Sequence, residues 1–324
     1  MAQDVLVVGE LANGAITSTT AELLNAAKSL AEGGTVAVTL LGSAAGAAAA
    51  GAFAAGAGKV FSSSDAAYDD VRADQWAAAI DNAIGQQNPG VVLFAQSPVG
   101  RDVAPRIAFR RNTAVAMDCV GVAMDGGAFK ATRPCYGGNA LSVYSFTTSP
   151  AVATVRAKSF DAAAPAAGAS GETVDLGAAA PSAIEISGME AAVSSGLKME
   201  EAPIVVSGGR GLGEAESFRQ IEALAEAFGS DKATTGASRA AVDLGWYPPA
   251  KQVGLTGKVV TPDLYVAVAI SGASQHMAGC SGSKMIVAIN RDKEANIFKS
   301  AKYGIVGDWK AIVPALIDAV KAAK

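Results

Sequence analysis

The residues best suited to chemistry form one short run, Ser271-Gly272-Ala273-Ser274-Gln275-His276, which holds the single histidine of the chain. It follows an apolar stretch predicted to be a strand, 264–270. Small residues at a strand end let backbone approach a flat ligand. The first turn of a following helix offers N–H groups to a phosphate or a ring carbonyl. Gln275 and His276 project from that turn, a position that favours a ligand-facing imidazole; a structural histidine is the alternative. Three further glycine-rich turns share this character. Gly208-Gly209-Arg210-Gly211-Leu212-Gly213 can wrap a phosphate, with Arg210 as a planar charged fork. It departs from the dinucleotide fingerprint because Glu214 stands where the last glycine belongs, and an ordinary strand-to-helix turn is the alternative. Gly236-Ala237-Ser238-Arg239 presents a guanidinium among small residues; a surface arginine on a turn is the alternative there. The loop 251–258 is bracketed by Gly254 and Gly257 and carries one hydroxyl, Thr256; alone it also reads as a β-turn. Turns of this kind beyond the carboxyl ends of parallel strands are where open α/β sheets hold dinucleotides.

The elements that must position these turns follow from periodicity. In the first half, predicted strands at 5–8, 35–40, 59–62 and 90–95 alternate with Ala-rich helices at 19–31, 44–55 and 73–87. That alternation marks βαβ units around a parallel sheet. Runs at 128–133, 140–146 and 151–155, separated by short turns, predict an antiparallel extension. Residues 160–183 are dominated by Ala, Gly, Ser and Pro and read as a surface excursion leading to a linker; an irregular edge of the first domain is the alternative. The α/β pattern restarts at Pro203, with strands expected at 203–206, 264–270, 284–289 and 303–306. One helix face groups Phe218, Ile221, Leu224, Ala225 and Phe228, and a last helix groups Trp309, Ile312, Val313, Leu316, Ile317 and Val320. The expected organisation is an N-terminal α/β domain over 1–195, with a linker at about 160–202, followed by a doubly wound α/β domain over 203–324. The boundary is expected between 185 and 203.

Composition narrows the function classes. The chain has 324 residues, half of them hydrophobic, and a net charge of −4, so it can bury two ordinary cores and offers no basic stripe for nucleic acid. The run 42–58 is too rich in Ala and Gly for a membrane span. The start shows no basic n-region or apolar h-region, so a cytoplasmic location is expected. Cys119, Cys135 and Cys280 match no metal spacing, and no metal site is expected.

In this order and spacing, GGRGLG, GASRAAVD, KQVGLTGK, LYVAVAISGASQHMAG, IVAINRD and KYGIVGDW resemble the alpha subunit of electron-transfer flavoproteins. The motifs cover the chain from about Pro203 to its end; the first domain agrees more loosely. The resemblance implies FAD as the dinucleotide. It implies that Arg210 and its turn touch the cofactor, that Ser238 meets the diphosphate side and that Arg239 lies against the isoalloxazine. Gln252, Val253, Gly254, Leu255 and Thr256 would line the ring, with the Thr256 hydroxyl near N5. Ser271, Gly272, Ala273, Ser274, Gln275 and His276 would bind phosphates and ring, His276 near O2. Asn290, Asp308 and Trp309 would hold the adenosine end. Many members carry Gln where this chain has Leu255, which removes a polar contact near the flavin.

The implied role is an electron carrier with no bond-making on a substrate. Arg239, Thr256 and a protonated or donor His276 would tune the flavin. A charge pair about 4 Å apart at an effective dielectric near 20 is worth roughly 4 kcal/mol, enough to move a one-electron potential by on the order of 100 mV. The resemblance further implies a heterodimer with a beta subunit carrying AMP. Electrons would arrive from flavin dehydrogenases such as the acyl-CoA dehydrogenases of fatty acid β-oxidation and leave to a quinone reductase, with the FAD domain swinging between them. The alternative is a bifurcating complex that oxidises NADH, with a second FAD mainly in the beta subunit. A nicotinamide-dependent dehydrogenase is disfavoured by the missing fingerprint and the absence of a proton-relay constellation.

Overall fold

The protein is described by a computed structural model covering residues 3–138, 140–188 and 197–323. Internal contacts divide the chain into two units, Met1–Pro134 with Leu141–Met189, and Cys135–Ala140 with Glu190–Lys324. The boundary expected between 185 and 203 falls partly on residues 189–196, which lie outside the described residues.

The first unit is built on a seven-stranded sheet. Across it run Glu172–Asp175, Lys59–Ser63, Val36–Leu41, Val5–Val8, Val91–Ala95, Ala151–Val155 and Val115–Cys119. Every neighbouring pair is parallel. Helices cover both faces. Ser18–Ala31 and Ala45–Ala54 pack with Val5 and Val7 on one side, and Ala73–Gln87 and Pro98–Arg110 pack with Leu6 and Val8 on the other. Strands covered on both faces read as continuous apolar runs.

That rule accounts for a correction. The run 151–155, expected in the antiparallel extension, is a parallel strand inside the main sheet, between Val91–Ala95 and Val115–Cys119. All five of its residues are buried, so it lacks the polar alternation of a strand with one wet face. A separate three-stranded sheet holds Gly121–Asp125, Ala128–Cys135 and Ala140–Ser145 in sequence order, and its first pair is antiparallel. A second difference lies at Glu172–Asp175, within the segment read as a surface excursion. It adds an edge strand beside Lys59–Ser63, and four mostly exposed residues leave no periodic signal to read.

The second unit is a six-stranded sheet. In chain order its strands are Ile204–Gly208, Ala233–Ser238, Gln252–Val253, Leu264–Val268, Met285–Asn290 and Tyr303–Val306. Across the sheet their order is third, second, first, fourth, fifth, sixth, and all five neighbouring pairs are parallel. This is the doubly wound order, with its switch point between Ile204–Gly208 and Leu264–Val268. Alternate side chains point to opposite faces. Val206, Val266 and Val268 meet the helices Phe218–Phe228 and Trp309–Ala322. Val205, Tyr265 and Ala267 face Val253, Met277 and Cys280. The sheet therefore has one helix-covered face and one face roofed by the segment that carries His276. Among the described residues, no helix is long and apolar enough to cross a membrane.

Candidate functional site

Register places the sequence-derived turns along one edge. Gly208 pairs with Ala237 on one side and Val268 on the other, Ser238 pairs with Val253, and Asn290 pairs with Val306. The carboxyl ends of all six strands thus form a single rim. Five inter-strand gaps of about 4.8 Å give it a span of roughly 24 Å, the scale of an extended dinucleotide rather than a small substrate.

At the switch point the rim is set by close backbone approach. The amide of Gly209 donates to the Val268 carbonyl at 2.9 Å and that of Gly211 to the Ala269 carbonyl at 3.3 Å. A Cβ on Gly209 would lie 2.2 Å from that Ala269 oxygen, so a side chain there would close the crevice. Ala269 leaves the strand at φ 56°, which turns the chain into Ser271. Arg210 stands on this turn with its side chain exposed.

The next segment folds back over the sheet. Gly272, at φ +80°, sits where a Cβ would lie 2.2 Å from the Ile297 amide nitrogen. The Ser271 carbonyl accepts from that same amide at 3.0 Å. Ser274–Met277 is one helical turn, and the N–H groups at its start have no intrahelical acceptor. It reaches the loop after Gln252–Val253: the Leu255 amide donates to the Gln275 carbonyl at 2.8 Å. Glycines make this contact possible. A Cβ on Gly254 would lie 3.0 Å from the Gln275 oxygen, and one on Gly279 would lie 2.3 Å from the Gly254 nitrogen. Val253–Thr256 and Ser274–His276, far apart in sequence, form one wall.

Two hydroxyls on this wall are oriented by neighbours. The Gln252 side-chain amide donates to Thr256 Oγ1 at 3.0 Å, leaving the Thr256 proton free to point outward. Ser238 caps the short helix Arg239–Asp243 by accepting from the Ala241 amide, so its oxygen already has a structural task. Arg239 is exposed and pairs with Asp243 at 3.3 Å. An exposed pair of this kind is worth little, so the guanidinium is free to turn to an anionic ligand. Leu255 is 63 % exposed, an apolar side chain at the tip of the loop.

His276 differs from all of these. It is 7 % exposed, its Nε2 lies 2.9 Å from the Tyr265 hydroxyl, and its Nδ1 has no hydrogen-bond partner. Burial pushes its pKa down to about 4, with the Val253 backbone opposing the shift. The ring is therefore neutral at pH 7. Of the two states expected from sequence, the protonated one is corrected: desolvation leaves a neutral donor or acceptor. Tyr265, and the Ser207 and Cys280 side chains against its hydroxyl, all buried, were missed by sequence reasoning. The available signal was a phenol inside the apolar run Leu-Tyr-Val-Ala-Val.

The far end of the rim is less open. Asn290 donates to the Ile270 carbonyl at 2.9 Å and accepts from the Asp292 amide at 3.0 Å, which anchors the start of the folded-back segment. Asp308 caps the last helix through the Lys310 amide at 2.9 Å. Trp309 is half-buried against the helix-covered core. Each has a structural partner already.

The arrangement fits a dinucleotide: glycines that a Cβ would fill, an exposed Arg210 at the switch point and an orphaned buried nitrogen on the wall. Comparison with known proteins names the kind. Residues 5–181 match the electron transfer flavoprotein domain, and residues 198–281 match the electron transfer flavoprotein FAD-binding domain. That second match spans Arg210 through His276 and stops short of Asn290, Asp308 and Trp309. The chain is 44 % identical to the electron transfer flavoprotein subunit alpha of Paracoccus denitrificans over 314 residues, 96 % of this chain and 98 % of that one. It is 38 % identical to the subunit of the same name from Bacillus subtilis over 323 residues, 99 % and 98 % of the two chains. With the subunit from Mycobacterium tuberculosis strain H37Rv it shares 42 % over 324 residues, 99 % of each. The chain belongs to the electron transfer flavoprotein alpha-subunit family and carries that family's FAD-binding domain on its second sheet.

Proposed function

We propose that the chain holds one FAD along the carboxyl rim of its second sheet and works as a one-electron carrier beside a beta subunit. It makes and breaks no substrate bond. The observation that carries this reading is the joined wall of Val253–Thr256 and Ser274–His276, with its orphaned His276 Nδ1. Bound FAD supplies the redox centre. Arg210 and the turn Ser271–Ser274 bind the diphosphate region, Ser238 lies beside it, and Gln275 reaches in from the same helical turn. Gly254 and Leu255 would offer backbone to the ring, and the oriented Thr256 hydroxyl would offer a donor. Arg239, exposed and only loosely paired with Asp243, would supply positive charge to the reduced cofactor. Asn290 acts by holding the Ile270–Ser271 turn, with Asp308 and Trp309 toward the adenosine end. Electrons come from flavin dehydrogenases such as acyl-CoA dehydrogenases and pass to a quinone reductase.

The test is anaerobic mixing of the FAD-loaded alpha–beta complex with an acyl-CoA dehydrogenase and its substrate. The reading expects the flavin absorbance to bleach on addition of the dehydrogenase and NADH alone to leave it unchanged. Bleaching by NADH alone would instead indicate the bifurcating role, with a second FAD rather than AMP in the beta subunit. A flavin unmoved by either donor would overturn the carrier reading.

A further inference from the structure

We propose that Tyr265 is a positioning residue: its hydroxyl donates to His276 Nε2 and thereby holds the proton of the neutral imidazole on Nδ1. The pair is sealed, with Tyr265 at 0 % and His276 at 7 % exposed, and Oη lies 2.9 Å from Nε2. One proton serves that bond, so it runs from the phenol to the imidazole or in reverse. An imidazole nitrogen is a far stronger base than a phenol oxygen, and a phenol is the stronger acid of the two. The first direction is therefore favoured by the chemistry of the groups.

The surroundings agree. The Val253 backbone acts on the imidazole in the sense that favours a ring N–H, and a carbonyl can only accept. With the proton on Nε2, Nδ1 would be a bare lone pair with no donor among the described residues, and the Tyr265 proton would have to seek Ser207 or Cys280. Both side chains lie against the Tyr265 hydroxyl, and a hydroxyl or thiol is a far weaker acceptor than an imidazole nitrogen. Tyr265 itself is fixed by the sheet. It pairs with Val205 and Ile286 and points to the face roofed by Met277 and Cys280. The strand thus sets the angle of the phenol, and the phenol sets which nitrogen carries the proton.

The consequence for the cofactor rests on the FAD reading above; the tautomer does not. Because the chain has a single histidine, 15N-histidine labelling of the full chain gives one imidazole with two nitrogen resonances. They are read in the chain alone and after reassembly with unlabelled beta subunit and FAD. The proposal expects a pyrrole-type Nδ1 and a pyridine-type Nε2, and expects Tyr265→Phe to bring the two shifts together as the tautomers mix. A pyrrole-type Nε2 in the unaltered chain overturns it, as do shifts that Tyr265→Phe leaves in place. Should that variant fail to fold, 3-fluorotyrosine placed at 265 has a more acidic hydroxyl. A shifted Nε2 resonance then supports the proposal and an unmoved one overturns it. Absence of flavin from the reassembled complex would count against the FAD reading alone, because the tautomer is still read in the free chain.

Discussion

His276 belongs to the wall of the candidate site and is at the same time buried away from water. Desolvation wins, and its pKa falls to about 4 from an ordinary 6.5. The sign of the stability effect follows. Between pH 6.5 and about 4 the unfolded chain binds a proton that the folded chain resists, so stability falls as the pH falls through that window. Above pH 6.5 the group contributes no pH dependence. The displacement is worth up to about 3 kcal/mol. Glu10, whose pKa burial raises, acts with the opposite sign, so the comparison must be made against a variant. Urea unfolding at pH 7 and pH 4.5 should show a smaller acid loss for His276→Gln than for the unaltered chain. Equal losses would mean that the imidazole is not buried as neutral. The exposed residues of the site behave differently: Arg239 and Leu255 are available to tune a ligand at little cost to the fold.

At the scale of the element, the folded-back segment 269–279 is a loop whose shape depends on backbone contact. Gly272 combines φ +80° with an Ile297 backbone nitrogen 2.2 Å from any added Cβ. Gly213 has a similar φ of +95° and nothing within 4 Å. The pair separates two effects. Gly213→Ala should cost about 1 kcal/mol through backbone strain alone, whereas Gly272→Ala should cost roughly 2–3 kcal/mol or more. Chemical denaturation of the two variants measures the difference, and equal costs would show that the close approach does not hold the segment. Much of this was readable beforehand, because a strand-end glycine turn has a local signature. Strands with one task in the core were readable for the same reason, as Val5–Val8 and Val91–Ala95 show. What escaped was set by distant partners. Ala151–Val155 is parallel only because Val91–Ala95 and Val115–Cys119 flank it. The Tyr265–His276 bond joins residues whose relation depends on how the chain turns at Ala269.

At the scale of the whole molecule, the chain uses the same architecture twice, a parallel doubly wound sheet in each unit. The rim of the second sheet gathers four glycine-rich turns, an arginine at the switch point and the histidine wall; these are the features the site reading rests on. The central claim is that this rim holds the cofactor at one per chain. Its most direct measurement is to purify the chain with its beta subunit, denature the complex and count the flavin released. The account predicts one FAD per alpha chain, lost when Gly209→Val fills the crevice beside Ala269. A complex that releases no FAD, or one in which Gly209→Val retains it in full, would contradict the account.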